Sequence, residues 1–167
     1  MSRYLPTRVA TLLLVGLPTM MFAQFAGLFA GSLAVPEVNV GQLMMLNADL
    51  ADGGKKFDGQ HVIVDVRTPE EYQVSMIPGA VTKVQFEKNK QQYRDYTIVV
   101  YCTIGYRSGQ YAKKLMSDGF NAKNFKGSIL AWCHAGLPLV TMQGEPTYRV
   151  HTYSSEYKVP SKYTAVF

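Results

Sequence analysis

The sequence predicts an α/β protein: a three-layer domain with a central parallel sheet. From Pro36 onward, short apolar runs of strand length alternate with amphipathic stretches of helix length. Such alternation requires crossover connections, which put helices on both faces of a parallel sheet. Size agrees, because 167 residues with 47% hydrophobic composition suffice for one domain of about 100–150 residues plus an appendage. That composition excludes a disordered or collagenous chain, and two cysteines cannot staple a fold. The net charge of +5 suits small anions or an acidic surface. The largest cationic runs are the pairs Lys55-Lys56 and Lys113-Lys114, so no nucleic-acid partner is expected.

Arg3 and Arg8 precede Val9 to Val35, a stretch without an ionisable residue. Basic residues ahead of such a run mark residues 1–35 as an N-terminal hydrophobic helix, either signal peptide or membrane anchor. Ser32-Leu33-Ala34 supplies the small residues needed for a cut after Ala34, while a run past about 20 residues can span a bilayer. In both cases the arginines stay cytoplasmic and the rest is exported, to a periplasmic or equivalent space, either released or held by residues 9–35. The membrane is then a partner only through an uncleaved segment.

The domain is expected over residues 36–140. Leu43, Leu46 and Leu50 repeat at helical spacing until Asp52-Gly53-Gly54 breaks the pattern. His61 to Val66 reads as a buried strand. Thr68 then caps a helix with Pro69 at its first position and Glu71 completing a capping box. Ile77-Pro78-Gly79-Ala80 is a turn, and Glu87 to Tyr96 is polar and reads as helical. Thr97 to Tyr101 is the clearest strand in the chain. Beyond Ser108, Tyr111, Ala112, Leu115 and Met116 share a helical face that Asp118-Gly119 ends. Asn121 to Phe125 reads as a strand and Gly127 to Trp132 as a short helix. Residues 141–167, with Tyr148, Tyr153, Tyr157 and Tyr163, read as an extended C-terminal extension packed on the domain; these tyrosines and Trp132 are expected to pack rather than to bind.

Chemistry concentrates in Cys102-Thr103-Ile104-Gly105-Tyr106-Arg107-Ser108, between the carboxyl end of a central strand and the start of a helix. Ligands bind at that edge of open α/β sheets. A loop curled around Cys102 aims backbone N–H groups at its sulfur, and the helix adds its positive end. Arg107 adds a fixed cation, and Gly105 permits a positive φ. Together such surroundings lower a cysteine pKa from about 8.5 to between about 3.5 and 7.5. His61, His134 and His151 have no ligand spacing, so no metal site is expected.

The ordered set Val64-Asp65-Val66-Arg67-Thr68-Pro69-Glu70-Glu71-Tyr72, Ile77-Pro78-Gly79-Ala80, Tyr101-Cys102 through Ser108, Gly127 to Trp132 and Gly136-Leu137-Pro138 resembles a single-domain rhodanese. The resemblance implies a rhodanese-like fold and a sulfurtransferase in which Cys102 takes sulfane sulfur from a donor such as thiosulfate, holds it as a persulfide and passes it to a nucleophile. Thr103, Ile104, Gly105, Tyr106, Arg107 and Ser108 would bind the substrate, and Asp65 and Arg67 would hold neighbouring loops. The implied partners are a small sulfur-donor anion and a thiol acceptor, with no cofactor. Four residues separate Cys102 from Arg107, as in sulfur-transferring members; related phosphatases and arsenate reductases carry one more. Thr103 stands where thiosulfate-using members often have Arg or Lys, and Met76 where His often stands. Thr103 keeps a second reading open, a catalytically idle module that recruits a partner at the membrane. Glu70 and Glu71 read as capping residues, and Cys133 as a thiol beside Trp132 that forms no disulfide with Cys102.

Overall fold

Three strands carry the longest buried runs, and they form the middle of the sheet. The computed structural model describes residues 34–51 and 61–167; of the hydrophobic segment expected over residues 1–35, all but the last two residues lie outside them. Among the described residues no helix is long and apolar enough to cross a membrane. Strands β1 (Glu37–Val38), β2 (His61–Asp65), β3 (Val81–Thr82), β4 (Thr97–Tyr101) and β5 (Asn121–Phe125) form one five-stranded sheet in the order β1-β5-β4-β2-β3. Every pairing in it is parallel.

The period of two along each strand divides the core. Ile63, Val99 and Tyr101 face one side with Leu43 of α1 (Val40–Ala51) and Ile129 and Trp132 of α5 (Ser128–His134). Val62, Val64, Ile98 and Val100 face the other, against Phe86 of α3 (Lys83–Lys88) and Leu115 of α4 (Tyr106–Ser117). Both faces are covered, so β2 and β4 carry unbroken apolar runs, Val62 to Val64 and Ile98 to Tyr101, instead of alternating with polar residues. The capping box at Thr68 forms as the sequence predicts and opens α2 (Pro69–Tyr72).

The expected helix over 87–96 starts earlier. Thr82 and Gln85 make a capping box that begins α3 at Lys83, and after Asn89 the chain tightens into a 3-10 turn over Lys90–Tyr93. The tail is more structured than an extended strap. It contributes β7 (Pro146–Thr147), paired with β6 (Leu139–Val140), and the parallel pair β8 (Arg149–His151) and β9 (Thr164–Val166). Val150 and Tyr163 are buried in the same core as Trp132.

This strand order fixes where a site can form. After β2 the chain moves outward to β3, whereas after β4 it moves the opposite way to β5. The loops leaving β2 and β4 therefore diverge, and the crevice between them is the switch point where ligands bind in open sheets. The two strands end level, with Asp65 opposite Tyr101.

Candidate functional site

Cys102 follows β4 directly, and two neighbouring elements set the shape of its loop. The first N–H groups of α5 have no partner within their own helix; Ile129 N–H donates to the Cys102 carbonyl at 3.2 Å and Leu130 N–H to the Thr103 carbonyl at 3.3 Å. With those carbonyls turned outward, the following amides turn in, and Gly105 N–H lies 3.2 Å from the Cys102 sulfur. Gly105 sits at φ 102° as the residue before α4. A Cβ there would lie 1.9 Å from the Lys126 carbonyl oxygen, so both backbone conformation and space require glycine.

The loop is also pinned from β5 and from the start of α5. Cys102 N–H donates to Ser128 Oγ at 3.0 Å, and that hydroxyl donates to the Phe125 carbonyl at 2.8 Å. Ser128 holds this position at φ 52°, a conformation costing on the order of 1 kcal/mol for a residue with a side chain. Asn124 donates from Nδ2 to the Gly105 carbonyl at 3.2 Å and accepts from Ser108 Oγ at 2.7 Å. Ser108 Oγ is also 3.4 Å from the sulfur. Its single hydrogen serves either Asn124 or the sulfur, so the Gly105 amide is the donor always aimed at Cys102.

Burial pushes the Cys102 thiol up, but hydrogen bonds from the Ser108 hydroxyl and from the Ser108, Gly105 and Ile104 amides outweigh it and hold the thiol below its ordinary value. Cys133 has no such donors. It is fully buried, and burial pushes its thiol up to about 12. Both cysteines are free.

Arg107, expected as a fixed cation beside the loop, is paired there with a carboxylate. Its guanidinium is held by Glu71, with Nη1 2.6 Å from Oε2 and Nη2 2.7 Å from Oε1. Thr103 Oγ1 donates to Glu71 Oε1 at 2.7 Å, and Thr68 N–H donates to Oε2 at 2.9 Å. Glu71 is thus more than a cap: from α2, which follows β2, it neutralises the cation in the first turn of α4, which follows β4. Burial pulls its carboxyl upward, and Arg107, Thr68 and Thr103 together hold it down at about 2. The buried Thr103 hydroxyl is committed to this cluster, accepting also from Arg107 Nη2 at 2.9 Å.

Asp65 and Arg67 lie beside the sulfur loop as a buried pair, 2.6 Å apart with both side chains inaccessible. Arg67 also donates to the Ser75 carbonyl at 2.5 Å, and the Tyr101 hydroxyl donates to Asp65 at 2.6 Å. Burial and then the Asp65 carboxylate push the Tyr101 hydroxyl well above its ordinary range. It is a fixed donor rather than a base, and the cluster anchors the turn from β2 into α2.

A cavity of about 350 Å³ opens over the loop, lined by Cys102, Thr103, Ile104, Tyr106, Arg107, Tyr153 and Tyr157. Ile104 and Tyr106 are exposed at its mouth. The tail tyrosines divide: Tyr163 packs in the core, whereas Tyr153 and Tyr157 reach the cavity, with the Tyr153 ring 5.8 Å from the Arg107 guanidinium carbon. Glu71, Asn124, Ser128, Tyr153 and Tyr157 are thus site neighbours that reading the sequence misses. Of these only Ser128, beside Gly127 at a helix start, carries a local signal.

Residues 48–135 match the model of the rhodanese-like domain. A sulfurtransferase of Allochromatium vinosum is 36% identical over 87 residues, covering 50% of this chain and 81% of that protein. A tRNA sulfurtransferase of Desulfurococcus amylolyticus is 39% identical over 79 residues, 47% of this chain but 16% of that protein. A thiosulfate sulfurtransferase from Pseudomonas aeruginosa shares the fold, with TM-score 0.52 at 20% identity over 72% of this chain and 23% of that one. Fold and relatives support a sulfurtransferase-type function.

Proposed function

The chain belongs to the rhodanese-like domain family, and from that premise we propose that it transfers sulfane sulfur through a persulfide on Cys102. The observation that carries this reading is the sulfur itself: Cys102 is nearly inaccessible at 1% exposure, yet amide and hydroxyl donors hold its thiol below the ordinary value. A buried structural cysteine behaves like Cys133 instead. Lowered, donor-supported thiols are the nucleophiles of sulfur chemistry.

In the first step the Cys102 thiolate attacks the outer sulfur of the donor. A sulfur–sulfur bond forms to Cys102, the donor's own bond to that sulfur breaks, and its electron pair leaves with sulfite, sulfinate or thiolate. Charge is conserved: the thiolate's negative charge reappears on the terminal persulfide sulfur. In the second step an acceptor thiolate attacks that terminal sulfur and Cys102 leaves as thiolate. No proton, metal or outside oxidant enters the balance. The loop amides support the anion at both stages, while Asp65, Arg67 and Tyr101 hold the neighbouring turn.

Incubation with thiosulfate and with polysulfide, followed by intact mass measurement, tests the reading. A gain of one sulfur atom that Cys102→Ser lacks is the expected result. No adduct with any donor would replace this reading with a non-catalytic binding module, and turnover of an aryl phosphate or arsenate with an oxyanion-processing one. As part of the same proposal, residues 36–167 act on the exported side of the membrane.

A further inference from the structure

We propose that the C-terminal extension forms one wall of the Cys102 pocket and selects a sulfur donor that carries an aromatic or apolar group beside its sulfane sulfur; this rests on Cys102 being the persulfide-forming nucleophile. The residues matching the family model end at 135, so Tyr153 and Tyr157 come from outside the matched domain. They nevertheless line the cavity over Cys102, together with Ile104 and Tyr106.

Three observations set the chemistry of the occupant. First, the cavity rim presents large apolar surface to solvent: Tyr106 is 72% and Tyr153 67% exposed. Exposed apolar surface gathered around a nucleophile marks a binding site. Second, among the described residues Arg107 is the only cation lining the cavity, and its charge is taken by the paired oxygens of Glu71. A dianion therefore meets no uncompensated positive side chain there. Third, Tyr153 is held at φ 72°, a backbone state that aromatic residues seldom adopt. On either side, Thr152 Oγ1 donates to the Ser154 carbonyl at 3.0 Å, and Tyr153 N–H donates to His151 Nδ1 at 3.1 Å. Thr152 itself is fully buried, so the strained turn is anchored in the fold and carries the ring out over the pocket.

A matched pair of donors isolates the effect. Benzenethiosulfonate and methanethiosulfonate carry the same single charge and the same reacting sulfur. In each, the Cys102 thiolate takes the outer sulfur, the sulfur–sulfur bond of the donor breaks, and a sulfinate leaves with the electron pair. The rate of persulfide formation is measured on the full chain with both donors, and the benzene-to-methane ratio is compared between variants, which cancels their intrinsic reactivities. Replacing both rings in Tyr153→Ala/Tyr157→Ala should lower that ratio about tenfold, while Tyr153→Phe keeps it. Tyr106→Ala, at the exposed start of α4 and lining the same cavity, should lower it in the same direction and provides a second measure if the tail variants fold poorly. An unchanged ratio in variants that still load both donors, or a loss in Tyr153→Phe equal to that in the alanine variant, would overturn the proposal. If wild-type protein loads neither donor, or Cys102→Ser loads both, the persulfide reading itself has failed.

Discussion

Replacing Glu71 by Gln keeps the shape of the side chain and removes its charge, and the consequences can be worked from the structure. The carboxylate is 3% exposed and 2.6 Å from Arg107, whose side chain is 33% exposed. Its carboxyl is held at about 2, against an ordinary 4.5. At about 1.36 kcal/mol per unit the shift is worth at most about 3 kcal/mol, and screening through the partly exposed guanidinium brings the expected loss nearer 2 kcal/mol at pH 7. The folded carboxyl lies below its unfolded value, so the stabilisation is complete above pH 4.5 and drains as pH falls toward 2. Roughly three fifths of it should be gone by pH 3. Urea unfolding of wild type and Glu71→Gln at pH 7 and pH 3 measures both numbers. The substitution also frees the Arg107 cation, which interacts with the Cys102 sulfur. Thiosulfate should therefore load Cys102 severalfold faster in the variant, and the thiol should titrate lower. A stability difference under about 0.5 kcal/mol, or one of equal size at both pH values, would refute the neutralised-pair reasoning.

Gly105→Ala should lose persulfide loading and at least about 2 kcal/mol of stability by urea unfolding, since a Cβ meets the Lys126 carbonyl at 1.9 Å from a positive φ; a variant of wild-type stability contradicts the described loop. Alkylation by iodoacetamide as a function of pH should show Cys102 with an inflection below the ordinary 9.0 and Cys133 silent at neutral pH, because donors hold the first thiol down and burial pushes the second to about 12; peptide mapping identifies which thiol reacts. Cell fractionation should find the protein in the membrane or the exported soluble pool, and recovery from the cytosol with residues 1–35 intact would refute export.

The legible parts of this protein are those whose cause is local. Strands β2 and β4 are buried on both faces, so their residues are apolar in unbroken runs, and the cap at Thr68 needs only residues three apart in sequence. The α3 start is equally local, because Thr82 and Gln85 have the spacing of a capping box, but the polar stretch from Glu87 to Tyr96 gives the stronger helical pattern. Strand β1 is two residues long and has no periodicity to read. Glu71 and Arg107 are 36 residues apart and Tyr153 is farther still from Cys102. Their meeting depends on which loops the strand order brings to the switch point, and no local spacing encodes that.

The mutual neutralisation of Glu71 and Arg107 changes which anion the loop suits on the proposed reading. Oriented amides and the first turn of α4 offer partial charges, about half a unit at a helix end, and they act at hydrogen-bond distance. That matches a single negative sulfur lying in the curl of the loop, where Gly105 N–H is 3.2 Å away. A dianion such as thiosulfate carries its second charge on oxygens beyond the reacting sulfur, and the one guanidinium lining the cavity among the described residues is already paired. The same cradle can therefore stabilise thiolate and persulfide while favouring a donor whose outer part is uncharged. It follows that charge and aromatic substitutions should act on different donors: Glu71→Gln on thiosulfate, and Tyr153→Ala on the benzene-to-methane ratio.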